Sequence, residues 1–211
     1  MTMLLCSCTC PRPILRTQMT AEIQQQCLLP FSGTPRRYIH AIEAVLPGRV
    51  QLTVMGITVI DPPADKIRAA IITLEGLVLF DASAAADNVT IHRALPPFDG
   101  REFALHLMQD VRFIFIPPAG TLSSSGMIDN GSAICRYEGA DGMMVDVIVH
   151  HDQTWEIEQY KGCGKPLRRL KSYSPKNGVP DLIELSVHKP RRYALRLELI
   201  SAEPLLPGAA E

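Results

Sequence analysis

The run Met143-Met144-Val145-Asp146-Val147-Ile148-Val149, the polar turn His150-His151-Asp152-Gln153 and the run Thr154-Trp155-Glu156-Ile157-Glu158-Gln159-Tyr160 decide the fold class. Met143, Val145, Val147 and Val149 share one face of an extended chain, and Trp155 and Ile157 share one after the turn. Period-two alternation marks a strand with one buried face, and two such runs joined by a short polar turn predict an antiparallel hairpin. Downstream, residues 167–173, 182–188 and 193–200 alternate in the same way, with Tyr193, Leu195, Leu197 and Leu199 on one face. Upstream, strands are expected over 132–138, 38–45, 49–54, 57–60, 66–74, 76–82 and 88–94, with Gly56 read as a bulge and the links short enough for antiparallel neighbours.

One long stretch departs from period two. Pro96-Pro97-Phe98-Asp99-Gly100 stops the sheet, Asp99 is the expected N-cap, and Ala104, Leu107, Met108, Val111, Ile114 and Phe115 recur at helical spacing over 101–115. Arg101, Glu102, Gln109, Asp110 and Arg112 fall outside that stripe, and Pro117-Pro118 ends the helix. A short helix is expected over 19–28 after a Pro-rich tether, and 120–131 reads as a Gly/Ser-rich loop. The sum is an α+β, mainly β chain. It predicts a large curved antiparallel sheet, an open half-barrel, with one or two helices packed on its concave face. The expected division is a signal or lipoprotein tether over 1–20 and a single domain over 21–211.

Composition narrows the function. The 211 residues are 46% hydrophobic and 20% charged, with 21 basic against 22 acidic side chains, so neither a disordered chain nor binding of nucleic acid through bulk positive charge is expected. No apolar run reaches the ~18 residues of a membrane-spanning helix. The near-neutral total hides a segregation: residues 41–160 carry 16 acidic and 7 basic side chains, and 161–196 carry 10 basic and 2 acidic. The basic segment reads either as an edge facing anionic lipid or an acidic partner, or as an edge whose charges oppose aggregation.

Cys6, Cys8 and Cys10 alternate at the N-terminus, and Leu5-Cys6-Ser7-Cys8 resembles the end of a bacterial lipoprotein signal, with Cys8 as the lipid anchor. An inert tail and a metal site are the alternatives. With Cys6 removed in the signal, Cys10, Cys27, Cys135 and Cys163 remain, and three pairings are open. Cys135 reads as a small buried apolar residue and Cys163, between two glycines, as the more exposed thiol.

The order of tether, short helix, strand meander, single helix and further hairpins resembles the periplasmic lipoprotein-localisation (Lol) carrier and outer-membrane receptor superfamily over roughly 21–203. The stretches Lys161-Gly162-Cys163-Gly164-Lys165-Pro166-Leu167-Arg168-Arg169-Leu170, Gly178-Val179-Pro180-Asp181-Leu182-Ile183-Glu184-Leu185 and Tyr193-Ala194-Leu195-Arg196-Leu197 carry the likeness. The resemblance implies a non-catalytic, lipid-anchored protein at the periplasmic face of the outer membrane. It would hold a lipid or lipoprotein acyl chains in an apolar cavity, with a carrier protein as partner. Leu77, Leu79, Val147, Val149, Trp155, Ile157, Leu195 and Leu197 are the candidate lining residues, and each would fit a filled core as well. The receptor's apolar loop tip finds no counterpart in Asp61-Pro62-Pro63-Ala64-Asp65 or in 82–87.

No zincin, nucleophile-elbow, P-loop or dinucleotide signature occurs, and no cofactor is expected. His150, His151 and Asp152 are the only tight group for a small β-rich enzyme, the alternative function; an envelope scaffold with a filled core is the other. His40, His92, His106 and His188 read as surface or strand positions, and Asp141, Asp146, Glu156 and Glu158 as solvent-facing.

Overall fold

The computed structural model describes residues 11–17, 20–86, 88–176, 178–189 and 192–205, so Cys8 lies outside the described residues. The chain opens with β1 (Arg16–Thr17) and α1 (Ala21–Gln26). A first meander follows: β2 (Arg36–Leu46), β3 (Val50–Asp61), β4 (Lys66–Ile72), β5 (Val78–Ala85) and β6 (Asn88–Ala94). Helix α2 (Arg101–Phe115) leads into a second: β7 (Thr121–Met127), β8 (Ala133–Glu138), β9 (Met143–Val149), β10 (Trp155–Lys161), β11 (Arg168–Lys176), β12 (Val179–Val187) and β13 (Tyr193–Pro204).

Neighbouring strands pair antiparallel in the order β1-β7-β8-β9-β10-β11-β12-β13-β2-β3-β4-β5-β6, an open sheet whose meanders are joined where β13 meets β2. Alternate side chains from the strands merge into one core with the helices. Phe80, Ile60, Ile67, Ile157, Leu170 and Leu185 are fully buried there. Helix α2 adds Ala104, Met108, Val111, Ile114 and Phe115, five of the six residues of its expected stripe. Helix α1 adds Ile23, and Cys27 just after it is bonded to Cys135 of β8 with a Cα–Cα distance of 6.1 Å. The two helices thus cover the sheet at different places, α1 over β7 and β8, α2 over β4 to β6.

Several local expectations change. Residues 50–61 form one unbroken strand in which Gly56 pairs in register with His40 and Ile71. Gly56 is no bulge; a Cβ there would stand 2.5 Å from Ile42 Cδ1, so the side chain is absent because Ile42 fills its place. Residues 121–127, read as loop, form β7, whose hydrogen bonds come from β8 and β1. The N-cap of α2 is Gly100, without a side-chain cap bond from Asp99. Cys135 is no free apolar residue, and Cys163 is also disulfide-bonded. The basic strands β11 to β13 are interior in the sheet, which overturns both edge readings of their charge. Arg168, Arg169 and Lys171 pair with Asp110, Glu158 and Glu156, and Arg196 with Glu43 and Glu198. Among the described residues, four of the ten basic residues of the segment thus meet carboxylates on β2, β10, β13 and α2.

The outer face of β8 to β11 is similarly transformed. Asp146 and Glu158, expected in solvent, are 0% exposed. They stand opposite one another on β9 and β10. Arg136 grips Asp146 through Nε at 2.7 Å and Nη2 at 2.8 Å, and Arg169 reaches Glu158 at 2.6 Å. The N-terminal segment crosses above them. Arg12 contacts Glu156 at 3.0 Å and Glu158 at 3.4 Å, its carbonyl accepts from Arg136, and Ile14 packs on Ile128, Ile134 and Ile148. Burial pushes the Asp146 carboxyl above its usual range. Burial acts the same way on Glu158, but the Tyr160 hydroxyl, Arg12 and Arg169 outweigh it and hold that carboxyl below its usual range.

Candidate functional site

Strand β2 turns Arg36, Tyr38 and His40 to the inner face because residues two apart share a side. Opposite them stand Ile114 and Phe115 at the C-terminal end of α2, Trp155 at the start of β10, and Val179, Pro180 and Ile183 of β12. The α1–β2 loop, from Leu29 to Thr34, closes the rim. Between them remains a cavity of about 240 Å³. Its inner wall is aromatic: the Tyr38 and Phe115 rings stack at 4.8 Å, and His40 lies 6.0 Å from Tyr38 and 5.8 Å from Phe115.

His40 is the residue that sequence reading misplaced. It is 2% exposed rather than at the surface, and burial lowers its imidazole to about 4, so it is neutral at pH 7. The signal was present: His40 shares the parity of Tyr38 and Ile42, although a lone His in a strand says nothing of a cavity. Tyr38 is shifted upward, chiefly by burial, against the pull of the Arg36 charge and the Ser32 hydroxyl.

Of the eight residues expected to line a lipid site, Trp155 lines this cavity. Val147, Val149, Ile157 and Leu197 are buried in the adjoining core, and Leu79 and Leu195 are half-buried against it. Leu77 instead lies 50% exposed at the β4–β5 turn beside Leu74, 63% exposed. These two leucines form an apolar tip between early strands, at a turn distinct from 61–65 and 82–87.

Helix α2 is held by polar contacts on both flanks. Asp110, 3% exposed, accepts from the Tyr193 hydroxyl and lies 3.0 Å from Arg168. Burial raises its carboxyl above the usual range despite Arg168. Arg112 pairs with Asp65 at 2.6 Å and donates to the Ala86 carbonyl at 3.0 Å, so the 61–65 turn anchors the helix.

The His150, His151 and Asp152 group does not converge. The His150 ring bonds Ser132 Oγ through Nδ1 at 2.7 Å, whereas the Asp152 carboxylate accepts from the Thr154 amide and hydroxyl within its own turn. Among the described residues no group of three or more His, Cys, Asp or Glu could hold a metal ion, and no helix is long and apolar enough to cross a membrane.

No family model and no curated protein matches the sequence. The structure is similar to the crystal structure of a LolA superfamily protein from Nitrosomonas europaea, with a TM-score of 0.61 and 11% identity, over 88% of this chain and 94% of that one. An uncharacterized conserved protein from Thermus thermophilus aligns over 92% of this chain and 98% of its own at 11% identity, but with a TM-score of 0.32 it carries no weight. The chain has a Lol-like fold; at such identity the likeness extends to the fold alone.

Proposed function

We propose that this chain is a non-catalytic cell-envelope protein that takes a lipid, or an acyl chain of a lipoprotein, into the cavity beneath the end of α2. It acts in lipoprotein localisation, held at the periplasmic face of the outer membrane by lipid on Cys8 and served by a carrier protein. The cavity carries the reading. A cleft of about 240 Å³, half open to solvent, runs among Phe31, Tyr38, Phe115, Trp155 and Ile183, with Ser32, Thr34 and Arg36 giving it a polar mouth. That is below the ~300–1,000 Å³ of drug-sized sites, a size for one alkyl chain. At about 0.8 kcal/mol per buried methylene, eight methylenes contribute roughly 6 kcal/mol, a reversible affinity suited to a carrier or receptor. Leu79, Val147, Val149, Ile157, Leu195 and Leu197 belong to or pack against the hydrophobic core that Tyr38, Phe115, Trp155 and Ile183 share, and would line the site only if it opens further. Leu77, with Leu74, serves instead as a contact for membrane or cargo.

Trp155 is the single tryptophan and lines the cavity, so its emission reports occupancy. An alkyl probe with a terminal bromine, 11-bromoundecanoic acid, should quench it saturably below the concentration at which the probe forms micelles. Emission that stays constant throughout the titration would favour a scaffold with a closed core. For the anchor, metabolic labelling with palmitate should mark the wild type and not Cys8→Ala; equal labelling removes Cys8 from the reading.

A further inference from the structure

We infer that the cavity is built for a single-chain amphiphile with an anionic oxyacid head, held by the Arg36 guanidinium at the rim while the chain lies against Phe31, Tyr38, Phe115, Trp155 and Ile183. This rests on the lipid-binding reading above and adds the head group to it.

Three observations converge on Arg36. The first is charge. Among the described residues no Asp or Glu lines the cavity, and His40 is neutral at pH 7, so Arg36 is the lone formal charge among the described residues of its wall. The second is the contrast with other arginines. Arg12, Arg37, Arg68, Arg112, Arg136, Arg168, Arg169 and Arg196 each form an ion pair with a carboxylate. Among the described residues Arg36 shares the lack of such a pair with Arg93, Arg101 and Arg192, but those three are exposed, whereas Arg36 is half-buried; its buried Nε has no hydrogen-bond partner, as is also true of the ion-paired Arg37. Burying a donor on a cation and leaving it unmet is unfavourable, so a site that keeps one is complementary to an acceptor supplied from outside. The third is geometry. The inner-face register of β2 sets Arg36 two residues from Tyr38, and the guanidinium is close enough for its charge to bear on the Tyr38 hydroxyl. An anion at Arg36 therefore has aromatic wall immediately inward of it. Ser32 and Thr34, linked by a 2.8 Å bond from Ser32 Oγ to the Thr34 carbonyl, add hydroxyls to the same rim.

A guanidinium fork binds carboxylate and phosphate oxygens alike, so the recognised chemistry is the oxyanion. Trp155 quenching by 11-bromoundecanoic acid is compared with quenching by 11-bromoundecanol, in the wild type, Arg36→Gln and Arg36→Lys. Roughly tenfold tighter binding of the acid is expected from one charge-assisted contact, with the preference lost in Arg36→Gln and partly kept in Arg36→Lys. Competition by dodecanoate and by dodecyl phosphate then tells a fatty-acid head from a phosphate head, and displacement by either supports an anionic ligand. Equal binding of acid and alcohol, unchanged in Arg36→Gln, overturns the head-group inference and leaves the cavity reading standing. Absence of quenching by both probes overturns the cavity reading itself.

Discussion

Acidification from pH 7 to 4 isolates the contribution of His40. Unfolded, its imidazole titrates near 6.5; in the folded protein burial lowers it to about 4. Between those values the unfolded chain binds more protons than the native one, so stability falls as pH falls through 6.5 and levels off below about 4. At about 1.4 kcal/mol per pH unit, this span of about 2.5 pH units gives a total loss on the order of 3 kcal/mol, with about 2 kcal/mol already gone at pH 5. Little screening is expected, because His40 is 2% exposed between Tyr38 and Phe115. His40→Phe keeps an aromatic ring and removes the proton. Urea midpoints measured for both proteins from pH 7 to 4 should diverge by that amount, while the carboxylates common to both cancel in the difference. Parallel profiles, or an NMR titration of the ring near 6.5, would refute the reasoning and show that water reaches His40 freely through the cavity.

Three other perturbations probe the remaining devices. The Cys27–Cys135 bond spans 108 residues, for which chain entropy gives about 4.7 kcal/mol, so the double serine variant should melt about 10–20 °C lower by calorimetry; unchanged melting would place the stabilisation elsewhere. Arg12→Ala and Glu158→Gln remove opposite ends of the outer-face network, and a double-mutant cycle of urea unfolding should return about 1–2 kcal/mol of coupling, less than a fully buried pair because Arg12 is 36% exposed and Arg169 remains. Additive effects would mean that the N-terminal strap rests on the sheet without engaging it. Leu74→Glu with Leu77→Glu alters exposed residues, so stability should hold within about 0.5 kcal/mol while flotation with phospholipid vesicles declines; undiminished flotation would exclude that turn as the contact.

Strand β9, strand β10 and helix α2 were legible because their signals are local. Apolar residues at period two or at helical spacing specify which side of an element faces inward before any neighbour is known. The run 121–127, TLSSSGM, has no such alternation and becomes a strand only because β8 and β1 supply hydrogen bonds on its two sides. Asp146 and Glu158 were correctly placed on the outward parity of their strands. Their burial depends on Arg12, 144 residues before its partner Glu156, and on Ile14 lying across the same face. The charge segregation was equally plain in the chain, but whether it made an exposed edge or an internal pairing was settled by strand order. The cavity is the extreme case. Phe115 falls on the apolar stripe of α2 and Trp155 fits a filled core as well as a lining, and the space beside them exists only because β2, β10, β12 and the end of α2 meet without filling it. Periodicity along the chain thus determined the elements and their inward faces, because side-chain direction follows from backbone geometry alone. Which inward faces touch, which stay apart and which outward charges are sealed from water was decided by tertiary structure, because contact and desolvation depend on residues far away in the chain.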